Sequence, residues 1–67
     1  MPNKYEYDSY IGRNVFGAGH WECVVLYKNG KVVDEWSYDG TLFEPIARRR
    51  ALKRVKYLKN MYGATRI

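Results

Sequence analysis

The chain predicts an α+β fold: a three-stranded antiparallel sheet, built around a β-hairpin at Asn29-Gly30, packed against one C-terminal helix. Three observations lead there. The stretch WECVVLYKNGKVVDEWSY sets two β-branched and aromatic runs on either side of Asn29-Gly30, a dipeptide suited to the two positive-φ positions of a type I′ turn. Thr41-Leu42-Phe43-Glu44, followed by Pro45, has the spacing of a capping box with proline in the first helical turn. Beyond Pro45 the apolar period changes from 2 to about 3.6 residues.

The elements follow in order. Tyr5 and Tyr7 alternate with Glu6 and Asp8, which suits either a strand or a frayed terminus. One strand is expected within residues 5–16, because an isolated hairpin is marginal in water. Gly12 and Asn14 permit a bulge or turn there, and Gly17-Ala18-Gly19 supplies the connection to the hairpin. That glycine run lacks the Lys-Ser/Thr of a phosphate loop and the third glycine of a dinucleotide fingerprint, so it reads as a turn.

A two-residue loop at Asn29-Gly30 fixes a register by counting outward. Lys28 then faces Lys31, Tyr27 faces Val32, Leu26 faces Val33, Val25 faces Asp34, Val24 faces Glu35, Cys23 faces Trp36, and Trp21 faces Tyr38. One side of the hairpin would carry Trp21, Cys23, Val25, Tyr27, Val32, Asp34, Trp36 and Tyr38. Packed inward, Trp21, Val25, Tyr27 and Trp36 would form the core under the helix, with Asp34 at the rim or paired to Arg54. Packed outward, the same face would offer a stacking platform or a hydrophobic protein contact.

The helix is expected from about residue 44 to 62. Ala47, Ala51, Val55, Leu58, Met61 and Tyr62 fall on one stripe; Arg48, Arg49, Lys53, Lys56 and Lys59 fall opposite. Gly63 is placed just past the helix end, and Ala64 to Ile67 form a loose tail.

Sixty-seven residues make one domain, 1–67, close to the lower size limit for a self-supporting core, so a homodimer is a live option. The lone Cys23 cannot form an internal disulfide and reads as a small apolar residue. No signal peptide or membrane span is read in the chain, and a cytoplasmic protein is expected.

Charge is the strongest functional signal. The net charge is +5, yet residues 45–67 hold eight Lys/Arg and no acid, while residues 1–44 hold four Lys/Arg and seven acids. A polyanion, either nucleic acid or an acidic protein surface, is the expected partner of the C-terminal segment. Arg48, Arg49 and Arg50 open the stripe, and Lys53, Arg54, Lys56 and Lys59 extend it; Arg48, Arg49, Lys53 and Lys56 are expected to point farthest from the core. Arg suits bidentate contact with phosphate, and the stripe is expected to make binding strongly salt-dependent. Trp21, Trp36 and Tyr38 are the contact residues of the competing expectation, a protein-binding module or inhibitor. Enzyme chemistry is not expected: one His and one Cys do not assemble a catalytic pair or a metal site, and no cofactor is implied. His20 is expected at the surface or stacked beside Trp21.

The stretch WECVVLYKNGKVVDEWSYDGTLFEPIARRRALKRVKYL resembles the N-terminal arm-binding domains of phage-type integrases and the related AP2 domains, over roughly residues 10–60. Less closely, it resembles the C-terminal part of a double-stranded RNA-binding domain. The first resemblance implies three strands plus a helix, base contacts from the sheet, and duplex DNA rather than RNA as partner. Small size, aromatic content and a basic helix are also similar to short phage-encoded proteins that bind and block a host protein.

Overall fold

At the hairpin turn Asn29 adopts φ 54° and Gly30 φ 84°, the paired positive values that the two-residue loop demands. Asn29 does more than turn the chain. Its backbone N–H donates to the Lys4 carbonyl (2.8 Å) and its Oδ1 accepts from the Lys4 N–H (2.8 Å). The turn is thereby tied to the start of the first strand.

The computed structural model describes residues 3–12 and 19–67; the bulge or turn expected at Asn14 and the Gly17-Ala18 part of the connection lie outside them. Element order is β1 (Tyr5–Gly12), β2 (Trp21–Lys28), β3 (Lys31–Asp39), α1 (Glu44–Tyr62) and β4 (Thr65–Arg66). The sheet runs β3-β2-β1-β4, with β4 parallel to β1 and the other pairs antiparallel. The fourth strand corrects the expectation of a loose tail. Ala64 is buried, Arg66 pairs beside Tyr7, and the Ile67 N–H donates to the Tyr7 carbonyl (3.0 Å).

The hairpin register is regular only as far as Tyr27↔Val32. Leu26 then faces Asp34, Val24 faces Trp36 and Glu22 faces Tyr38, so Val33 is an extra residue in β3. This bulge corrects the expected register and splits the expected aromatic face. Trp36 and Tyr38 move to the side of Val24 and Leu26, under the helix. Trp21, Cys23, Val25 and Tyr27 stay on the opposite side. Burial supplies the reason: Tyr7, Val24, Leu26, Ala51, Leu58 and Ala64 form the core, and Tyr5, Trp36, Tyr38 and Val55 pack against it. Val24, Leu26 and Val33 alone would have left that core without an aromatic lid.

Helix α1 occupies the expected residues, but its start is built differently. Phe43 is the N-cap and no side chain caps it. The Thr41 hydroxyl instead accepts the His20 N–H (3.2 Å), and Glu44 turns to Arg48 (2.7 Å). Gly40 makes this junction possible: a Cβ there would lie 2.9 Å from both the Ala47 Cβ and the His20 ring. At the other end Gly63 is left-handed (φ 63°), and the Gly63 and Ala64 N–H groups donate back to Lys59 and Leu58. Ala47, Ala51 and Leu58 are buried as expected. Met61 is not: it is 64% exposed, because the last turn presents Tyr62 to Tyr5 instead (ring centroids 4.9 Å). Among the described residues no helix is long and apolar enough to cross a membrane.

Candidate nucleic-acid interface

The helix distributes its cations around three directions. At about 100° per residue, the core line through Ala47, Ala51 and Leu58 leaves Arg49 and Lys56 facing outward, away from the sheet. Arg50, Lys53 and Arg54 lie toward the β3 edge. Arg48 and Lys59 lie toward β1.

Arg48 corrects the expectation that it points away from the core. Its Nε donates to Glu22 Oε1 (3.2 Å) and its Nη2 to Glu44 Oε1 (2.7 Å). Glu22 is a buried carboxylate on β2, on the sheet side facing the helix, and a buried charge requires a partner. His20 completes the cluster, with Nε2 at 3.3 Å from Glu22 Oε1 and 3.8 Å from Glu44 Oε1. That Nε2 is buried and lacks the alignment of a hydrogen bond. His20 is therefore part of a half-buried charge cluster and not a surface ring stacked on Trp21.

Arg54 takes a different partner from the expected Asp34. Its Nε donates to the Tyr38 hydroxyl (3.2 Å), and its guanidinium lies over the Trp36 ring at 4.6 Å and the Tyr57 ring at 5.4 Å. Asp34 instead accepts the Glu35 N–H (2.9 Å) beside the bulge. Tyr38, Arg50, Lys53, Arg54 and Tyr57 line a shallow groove of about 360 Å³ between the helix and β3. None of its lining residues is acidic. Arg49, Arg50, Lys53, Arg54, Lys56 and Lys59 have no ion-pair partner among the described residues.

A second cleft of similar volume opens on the β1 side, lined in part by Ser9, Ile11, Glu22, Arg48, Leu52 and Val55. Its charges are already matched by Glu22 and Arg48. Lys59 on this side lies 5.6 Å over the Tyr7 ring.

The sheet side turned away from the helix is acidic. Register places Glu6 and Asp8 of β1 and Glu35 and Asp39 of β3 there, with no Lys or Arg within the described strands. Asp39 is held ionised to lower pH than an ordinary carboxyl by hydrogen bonds from the Thr41 hydroxyl and then the Thr41 N–H (2.9 Å). Tyr10 shares this side, and its phenol is raised, first by the charge of the neighbouring Cys23 sulfur. Cys23 itself is buried, with the Ser37 hydroxyl 3.7 Å from its sulfur.

The residues of the competing contact patch are not brought together. Trp21 lies on the acidic side, while Trp36 and Tyr38 lie beneath the helix. Sequence reasoning missed Arg54, Tyr57 and Tyr38 as one group, since their meeting depends on the bulge. Among the described residues no group of three His, Cys, Asp or Glu could hold a metal. No family model, curated protein or solved structure matches this chain.

Proposed function

We propose that this protein binds nucleic acid through its helix, using cations to neutralise backbone phosphates. The observation that carries the reading is the set of six helix cations with no acidic partner among the described residues. Cations that face no carboxylate keep their full attraction for an external polyanion, and releasing counterions from that polyanion drives binding. Arg49, Arg50, Lys53 and Lys56 carry the contact, with Lys59 at its end. Arg48 drops out because Glu22 and Glu44 already occupy it.

The acidic outer side of the sheet favours the helix over a sheet-reading mode of the integrase-arm or AP2 kind. Asp8, Glu35 and Asp39 would meet the phosphates there and repel them, with Glu6 4.0 Å from Lys4 Nζ. The same charge division sets the orientation of docking, with the helix toward the polyanion.

The test is affinity for a random-sequence duplex of about 20–30 base pairs at two salt concentrations, a length that spans the whole cation stripe. The wild type is compared with Arg49→Ala/Lys53→Ala/Lys56→Ala. Each lost phosphate contact lowers the salt slope by about 0.9, so the variant's slope falls by about 2–3 units. Undetectable wild-type binding at low salt, or an unchanged variant, ends this reading.

A further inference from the structure

We infer that the groove between α1 and β3 accepts an unpaired nucleotide, its base against the Tyr57 ring and its phosphates on Arg50 and Lys53. This rests on the nucleic-acid reading and adds to it a preference for single-stranded over duplex segments.

The groove combines two chemistries that a phosphate track alone does not require. Arg50 and Arg54, like Lys53 and Tyr57, are i,i+4 neighbours, and Arg50 and Lys53, like Arg54 and Tyr57, are i,i+3 neighbours, so the four side chains line one continuous wall. Tyr38 of β3 closes the opposite side. Arg50 and Lys53 are exposed and without ion-pair partners among the described residues, which leaves them available to anions. Tyr57, on the β3 flank of the helix, is 44% exposed, with the Tyr62 ring edge-on to it at 6.4 Å. A base, whatever its identity, offers a π-face to such a ring.

Arg54 makes the groove a built feature. Its guanidinium lies over the Trp36 ring at 4.6 Å and the Tyr57 ring at 5.4 Å, and its Nε donates to the Tyr38 hydroxyl. Those contacts fix a positive charge at the groove floor, where an incoming anionic ligand gains from it without ordering a mobile side chain. No carboxylate lines the groove to oppose that gain. A duplex cannot exploit the ring, because its bases are already stacked on one another. A single strand can.

The experiment measures affinity, by fluorescence anisotropy at one salt concentration, for three labelled probes. They are a mixed-sequence single strand of roughly 20 nucleotides, a duplex of the same sequence, and an abasic strand of equal length. The protein is compared with Tyr57→Ala and with Tyr57→Phe, the latter keeping the ring. Tyr57→Ala is expected to weaken single-strand binding about tenfold and duplex binding less than twofold, while Tyr57→Phe keeps both. The wild type is expected to bind the abasic strand about as weakly as Tyr57→Ala binds the intact one. Unchanged duplex affinity in Tyr57→Ala also shows that the helix remains folded. Equal affinity for abasic and intact strands, or a Tyr57→Ala variant with full single-strand affinity, overturns the inference while leaving phosphate binding standing. A poly-glutamate peptide bound as tightly as the single strand overturns it too. No binding to any nucleic acid removes both readings.

Discussion

The two flanks of the helix start from similar material and end in opposite states. Each has a cleft of about 360 Å³ against the sheet, and each receives arginine from the same basic segment. On the β1 flank, Arg48 meets Glu22 and Glu44 and its charge is consumed inside the protein. On the β3 flank, Arg54 meets Trp36, Tyr38 and Tyr57, which hold a cation without cancelling it. Counting cations therefore misjudges a basic helix. What the neighbouring strand places opposite each cation decides whether its charge reaches solvent.

Replacing Trp36 with alanine is expected to break this contrast most severely. Trp36 packs against the core and supports Arg54, so Trp36→Ala removes both burial and the groove floor. Truncating a fully buried aromatic costs about 3–5 kcal/mol; for a half-buried one about 2–3 kcal/mol is expected. In a domain this small that lowers Tm on the order of 10–20 °C. Leu52→Ala on the β1 flank removes a side chain that is 63% exposed and should change stability by less than about 0.5 kcal/mol. Thermal melts of the two variants measure the difference, and equal losses would mean that the flanks are not built unequally.

Exchanging the arginine under test sharpens the comparison further. Among the described residues, Arg48→Ala leaves the buried Glu22 carboxylate with His20 alone as its basic neighbour. Because Arg48 itself is more than half exposed, the stability loss is discounted for solvent screening to about 1–2 kcal/mol. Duplex affinity should barely change. Arg49→Ala reverses the pattern, with stability held within about 0.5 kcal/mol and the salt slope reduced by about 0.9. Denaturant melts and salt titrations of both variants check it. A large affinity loss in Arg48→Ala, with the fold intact, would show that its ion pairs open to admit a phosphate.

The same contrast marks what could be read from the sequence. The hairpin turn, the helix limits and the αL residue at Gly63 were legible because each depends on local chemistry: Asn29-Gly30 tolerates positive φ, Pro45 suits a first turn, and Gly63 ends the helix cheaply. The free part of the cation stripe was legible for the same reason, since exposed Lys and Arg follow helical period. The two arginine partnerships were not. Arg48 meets Glu22 across 26 residues, and Arg54 meets Tyr38 across 16, through a register that one extra residue shifted. The capping-box spacing at Thr41 and Glu44 misled because Thr41 takes a tertiary partner in His20 and Glu44 turns to Arg48, four residues along its own helix. β4 was invisible as a pattern: two residues carry no period, and only pairing with β1 makes them a strand.

The smallest expected effect concerns that extra residue. Deleting one residue from a strand ordinarily sends every later side chain to the other face. Val33 should be the exception. It is the additional member of a two-against-one arrangement, with Val32 opposite Tyr27 and Asp34 opposite Leu26. Removing it joins Val32 directly to Asp34 in a regular ladder and leaves Val24↔Trp36 and Glu22↔Tyr38 as they are. Val33 is half-exposed, so little packing is lost with it. The local twist that the bulge adds disappears, and the Asp34 bond to the Glu35 N–H beside it is given up; neither change reaches the groove. The deletion should cost less than about 1 kcal/mol and keep the Trp36 emission and the single-strand affinity of the wild type. Deleting Ser37 in the same strand has no bulge to absorb it and should move Tyr38 out from beneath the helix, taking with it the hydroxyl that holds Arg54. Denaturant melts and anisotropy on the two deletions give the comparison directly. A Val33 deletion as damaging as the Ser37 deletion would mean that the bulge itself, and not merely the register beyond it, holds the β3 flank together.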